Sequence, residues 1–171
     1  MHGRNRMNAN KLDTPSLRFS AILELPFGGF GIRADADRIL ELRFLPPDTP
    51  TLAPETALAE QAAAQITAWL DDPDRAFDLP LAESGTPFQR RVWAAIATIP
   101  RGTHRNYGSI ASELGSAARA VGQACGANPF PIVVPCHRVV AAGGGLGGFA
   151  NSTGGYLLDT KRWLLRFEAS R

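Results

Sequence analysis

Residues 129–140, Pro-Phe-Pro-Ile-Val-Val-Pro-Cys-His-Arg-Val-Val, constrain this chain more than any other stretch. A short apolar run is fenced by prolines and delivers Cys136, with His137 and Arg138 immediately behind it. Pro135 fixes its own φ and has no N–H to donate, so the cysteine sits on a stiff mount. A thiol with a free pKa of about 8.5 is a weak nucleophile at neutral pH. An adjacent imidazole that takes its proton, and a nearby guanidinium, would correct that. Taken alone, a cysteine after a valine run is more often a buried core residue, and Cys-His neighbours in sequence need not touch.

The 171 residues suffice for one ordinary domain or two small ones. The two cysteines, Cys125 and Cys136, stand eleven apart without a CxxC pair. They support neither a disulfide framework nor a four-ligand zinc site, and the expectation is reduced thiols in a cytoplasmic protein. No apolar run approaches a membrane span, and residues 1–16 lack a signal-peptide core.

Charge divides the chain. Residues 1–83 carry 8 Lys/Arg against 13 Asp/Glu, whereas residues 84–171 carry 10 against 3. A basic half that also holds the Cys-His stretch points to a polyanionic partner, nucleic acid first, although basic helical faces can also be merely solvated.

Residues 1–15 read as a disordered leader and 16–80 as a small α/β domain. Strand patterns begin at Leu17, Phe27 and Ile39, with residues 35–38 as a hairpin turn. Gly28, Gly29 and Gly31 lack a phosphate-loop register and read as strand-edge or turn glycines. Leu58, Ala62, Ile66, Trp69 and Leu70 form the apolar stripe of one helix, which Pro73 ends.

A second domain, 84–171, opens at Thr86-Pro87, a cap followed by proline at the first helical position. Helical spacing runs from Phe88 to Ile99. Residues 107–114, a Gly115-Ser116 turn and residues 118–127 then make helix, turn, helix. Ala118, Ala120 and Gly122 give the second helix a smooth face beside Arg119, suited to a duplex groove or equally to close helix packing. Residues 141–155 hold seven glycines and read as a mobile loop. In the final helix Leu157, Lys161, Leu164, Leu165 and Glu168 share a stripe. An inward Glu168 needs a partner, and His137 is the obvious candidate, though a last-turn glutamate is also at home in solvent.

Several separated pieces together resemble the O6-alkylguanine-DNA alkyltransferases. They are residues 85–89, 99–102, Tyr107-Gly108, residues 119–122, Asn128-Pro129, residues 135–140, and Lys161 with Trp163-Leu164-Leu165 and Glu168. The resemblance implies an α+β architecture, with a small ribonuclease-H-like N-terminal sheet-plus-helix domain and a mainly helical C-terminal domain carrying a helix-turn-helix. It implies a monomer that flips O6-alkylguanine from the minor groove of double-stranded DNA and moves the alkyl group irreversibly onto Cys136. The chain would act once, without cofactor or metal, and O4-alkylthymine is a further possible substrate. His137 would take the thiol proton through a water, Glu168 would orient His137, and Asn128 would brace the turn. Tyr107 would assist the leaving base and crowd the phosphate. Arg119 would fill the stack, with Ala118, Ala120, Gly122 and Arg138 also at the DNA. Val139, Phe149 and Ala150 would line the base pocket. Two departures stand out: a shortened turn before Arg119, and a lengthened loop after Phe149, which replaces a tyrosine. The competing readings are a lesion-sensing DNA-binding module without transfer activity and a cysteine hydrolase using Cys136 and His137.

Overall fold

The computed structural model describes residues 18–149 and 154–170, so the expected leader and Ala150 lie outside the described residues. The architecture is mixed α+β. Strands β1 (Ala21–Leu25), β2 (Gly28–Ala34) and β3 (Ile39–Leu45) form an antiparallel sheet in that order. The β2–β3 turn closes as its composition predicts, with Asp35 Oδ1 accepting from the N–H groups of Asp37 and Arg38 at 2.8 and 2.7 Å.

The β2 glycines correct the expectation of edge or turn positions. Gly29 and Gly31 lie buried in the central strand, and the Phe19 ring covers the space where a Gly31 side chain would stand. Glycine inside a strand here marks close approach rather than an edge.

Both outer edges of the sheet are covered. Ile22 and Leu52 exchange backbone bonds at 2.9 and 3.0 Å on the β1 side. On the β3 side, Ile39 N–H donates to Pro80 O at 2.7 Å, and Leu42 N–H donates to Pro129 O at 2.9 Å. The second bond ties the sheet to the proline-rich stretch.

Helix α1 (Ala57–Asp71) is capped by Thr56 and buries Ala59, Ala62, Ile66 and Trp69. Helix α2 (Pro87–Ala97) begins with a full capping box, Thr86 and Gln89 each bonding the other's backbone. Its Trp93 donates to Ala124 O at 2.8 Å, so α2 is bolted to α4 (Ala118–Gly126). Helix α3 (Tyr107–Leu114) is capped by Asn106 and ends at Gly115, whose φ of 65° is the left-handed geometry that stops a helix. Residues 115–117 then lead into α4.

The Cys-His stretch is held in place by a two-residue parallel pair between β4 (Arg105–Asn106) and β5 (Val139–Val140). Helix α5 (Gly155–Ala169) closes the fold. Phe27 lies 5.4 Å from Trp163, Trp69 lies 5.3 Å from Phe167 and Phe44 lies 5.3 Å from Phe149, ring centre to ring centre. One apolar core therefore runs from the sheet to α5. Among the described residues no helix is long and apolar enough to cross a membrane.

Gly85 has a φ of +86°, and a side-chain carbon there would stand 2.5 Å from the Trp93 ring. Gly85→Ala should therefore cost about 2 kcal/mol or more, from backbone strain and overpacking together. Urea unfolding of the two proteins checks this.

Candidate active site

The proline fence produces a tight reversal. Val134 N–H donates to Phe130 O at 2.8 Å, and Ile132, buried, takes a φ of 74°. A β-branched residue in that region is an outlier that packing must hold in place. A single 3₁₀ turn, Cys136–Arg138, follows.

Asn128 braces this reversal through its whole amide. Its Oδ1 accepts from Phe130 N–H at 2.9 Å, and its Nδ2 donates to Val134 O at 2.8 Å and to Cys136 Sγ at 3.1 Å. Because the 3₁₀ turn rotates successive side chains by about a third of a circle, residues 136, 137 and 138 face three different ways. Cys136 meets Asn128 and Cys125, while His137 and Arg138 both reach Glu168 on α5.

Glu168, with its side chain 1% exposed, bonds His137 Nε2 through Oε1 and Arg138 through both carboxylate oxygens. Burial pushes the Glu168 carboxyl up, but the bonds from His137 and Arg138 together outweigh it and hold the group at about 2. Burial lowers the His137 pKa despite the carboxylate beside it, which keeps the ring neutral. A neutral ring that donates Nε2–H to Glu168 carries its lone pair on Nδ1. That Nδ1 is buried and has no hydrogen-bond partner among the described residues.

Arg138 corrects the sequence reading twice. It was expected at the DNA, and as a cation beside the thiol. Its guanidinium is instead committed to Glu168 and to Ile99 O at 2.7 Å, because a buried carboxylate requires it. The Cys136 thiol lies well above its ordinary pKa, raised first by the neighbouring Cys125 thiol and next by burial. Asn128 and the charge on Lys161 pull it down by less.

Lys161 is fully buried; the sequence places it in the α5 stripe and among the matching pieces but gives it no role. Its Nζ donates to Val139 O at 2.8 Å, Leu146 O at 2.6 Å and Gly148 O at 3.0 Å. Burial lowers its pKa to about 8. The described part of the glycine-rich loop is thus pinned by an ammonium and is not the free loop its composition suggests. A lysine inside an apolar stripe was the available signal.

The same clamp occupies Val139, whose carbonyl serves Lys161 and whose N–H bonds Cys136 O. Phe149 is buried against Phe44 and lines a cleft of about 560 Å³ beside Cys136. Tyr107 donates its hydroxyl to Gly148 O at 3.2 Å, and burial raises its pKa to about 12. Its ring stands over Gly122. Arg119 and Ala118 are exposed at the start of α4, and Ala120 is half-buried. Helix α4 begins at Ala117 without a side-chain cap, a further feature the sequence pattern left unread. Its first N–H groups therefore have the arrangement that accepts a phosphate.

A helix-turn-helix beside a braced Cys-His-Glu array, within a basic half of the chain, suits a transferase that acts on nucleic acid. Residues 87–170 match the family model described as 6-O-methylguanine DNA methyltransferase, DNA binding domain. A methylated-DNA–protein-cysteine methyltransferase of Methanosarcina acetivorans is 36% identical over 159 residues, covering 89% of this chain and 99% of that protein. One of the same name from Mycobacterium bovis is 42% identical over 154 residues, covering 89% and 90%. The crystal structure of Mycobacterium tuberculosis OGT in complex with DNA superposes with a TM-score of 0.73 at 38% identity, covering 87% of this chain and 91% of that one. The chain belongs to the methylated-DNA–protein-cysteine methyltransferase family.

Replacing Glu168 by Gln leaves Arg138 buried without a counter-charge, and about 3 kcal/mol of stability should be lost at neutral pH. Because the folded carboxyl is depressed to about 2 from an ordinary 4.5, its contribution is complete above 4.5 and fades as pH falls towards 2. The gap between wild type and Glu168→Gln should therefore narrow across that window, as measured by denaturant unfolding at stepped pH.

Proposed function

We propose that this protein repairs DNA by moving the alkyl group from O6-alkylguanine irreversibly to Cys136, once per molecule, in the cytoplasm and as a monomer. The observation that carries the reading is a braced thiol followed in the same turn by a histidine bonded to a buried carboxylate, its Nδ1 buried and without a hydrogen-bond partner among the described residues.

In the proposed step His137 Nδ1 accepts the Cys136 proton through a water. Sγ attacks the alkyl carbon, the carbon–O6 bond breaks, and guanine leaves. The Glu168 carboxylate stabilises the imidazolium as it forms. A thiol held above its ordinary pKa is mostly unreactive at rest, so proton removal and displacement are coupled. Tyr107 remains protonated at neutral pH and is suited to donating a hydrogen bond to the leaving base. A thioether does not hydrolyse readily, which is why transfer stops at one.

Arg119, at the uncapped start of α4, enters the stack in place of the extruded base, with Ala118, Ala120 and Gly122 along the minor groove. Such a filler offsets the few kcal/mol that flipping costs. Phe149 bounds the pocket with its ring and, lacking a hydroxyl, gives no hydrogen bond to the base. The order of Lys161, Gly148 and Tyr107 makes the clamped loop the natural wall of that pocket. The names of the relatives favour transfer over a sensor without activity.

Incubation with a duplex containing O6-methylguanine should add one methylene mass to the Cys136 peptide, saturating at one per molecule. Cys136→Ser should abolish this while DNA binding persists. A serine variant that still accepts methyl groups, or a wild type that binds the lesion without gaining mass, would overturn the reading.

Arg119→Ala should slow repair in duplex at least tenfold more than reaction with free O6-benzylguanine. Single-turnover kinetics on both substrates measure the difference, and equal losses would remove the extrusion role.

A further inference from the structure

The chain has two cysteines, and the transfer step uses one. Both are buried and neither is in a disulfide. Cys125 lies in the last turn of α4, three residues before Asn128. One residue ties the two segments together. Asn128 donates its backbone N–H to Cys125 O at 3.2 Å and its side-chain Nδ2 to Cys136 Sγ at 3.1 Å. The two cysteine residues are therefore tied to one asparagine, Cys125 through its backbone and Cys136 through its sulfur.

Both thiols also line the cleft of about 560 Å³ that opens between β3 and the Cys136 turn. Its described lining includes Arg33, Glu41 and Arg43 and does not include Tyr107 or Arg119. A small polar solute thus has a route to the thiol pair from the sheet side, separate from the helix-turn-helix face.

We propose that Cys125 is a resolving cysteine and that the pair is a modification site for peroxides, closing to a reversible disulfide that masks the nucleophile. In the first step the sulfur of one cysteine attacks a peroxide oxygen as its thiol proton passes to the departing oxygen. The O–O bond breaks, water or an alcohol leaves, and a sulfenic acid remains. In the second step the neighbouring sulfur attacks the sulfenic sulfur, the S–O bond breaks, and a second water leaves as the S–S bond forms. The peroxide is reduced by two electrons and the two thiols are oxidised by one each.

The physical advantage follows from single use. A methylated Cys136 is lost, and so is one oxidised to sulfinic acid, whereas a disulfide returns to two thiols by exchange with a dithiol reductant. Transient disulfides of this kind are the sort that a reducing compartment tolerates. Only the activity readout below rests on the transfer reading; the cross-link does not.

The test treats the whole protein with hydrogen peroxide and follows intact mass, non-reducing peptide maps and methyl acceptance, before and after dithiothreitol. The expected product is two hydrogens lighter, with the Cys125 and Cys136 peptides joined and methyl acceptance lost. Dithiothreitol should restore both the mass and the acceptance. Cys125→Ser, with Cys125→Ala as a second variant, should give no lighter species. It should gain oxygen on the Cys136 peptide, with a loss of acceptance that the reductant repairs much less than in wild type. A wild type that shows no joined peptide, whether oxygenated or unmodified, overturns the proposal, as does a Cys125 variant that recovers as fully as wild type. If untreated protein accepts no methyl group, the transfer reading fails while the joined peptide still decides this one.

Discussion

One buried carboxylate organises the active end of this molecule. Glu168, near the end of the last helix, meets His137 and Arg138 from adjacent positions of a single 3₁₀ turn. Removing a carboxylate from water is expensive, and only fully bonded partners offset it. That requirement fixes where α5 must lie, which tautomer His137 holds, and why Arg138 faces inward. The reactive turn is thus held by electrostatics that do not involve the thiol itself, so Cys136 can change chemically without the frame depending on it.

The second constraint is the distribution of backbone acceptors around Lys161. Irregular, glycine-rich backbone leaves carbonyls without strand or helix partners, and buried carbonyls must be satisfied. One ammonium collects three of them from β5 and the loop behind it. Tyr107 reaches Gly148 O from α3, so the helix-turn-helix, the loop and α5 converge on the same few atoms. The sheet enters through Leu42 N–H on Pro129 O and through Phe44 against Phe149, which gives the N-terminal half a part in shaping a site whose chemistry lies elsewhere.

Legibility in the sequence followed the range of the forces involved. Local signals were read well. The Thr86-Pro87 start, the Gly115-Ser116 turn and the amphipathic stripes are set by backbone donors, φ preference and side-chain period within a few residues. Charge asymmetry and the Cys-His-Arg string likewise pointed to the partner and the nucleophile. The inward Glu168 was legible because a charged residue on an apolar stripe demands a partner.

What only the tertiary structure decided was which partner each polar group took. Sequence placed Arg138 beside the cysteine, yet a turn of about three residues per revolution sends it to the carboxylate. It placed glycines at a strand edge, where Phe19 and Leu45 instead press on the central strand. It counted two cysteines eleven apart, but they line one cleft only because α4 ends where the Asn128-braced reversal begins. The chain by itself determined its helices and its turns and singled out Cys136 as the candidate nucleophile, since those depend on neighbours along the backbone. Hydrogen-bond pairing, burial and pKa depend on neighbours in space, and those arise only once the sheet, the helices and the reversal have packed.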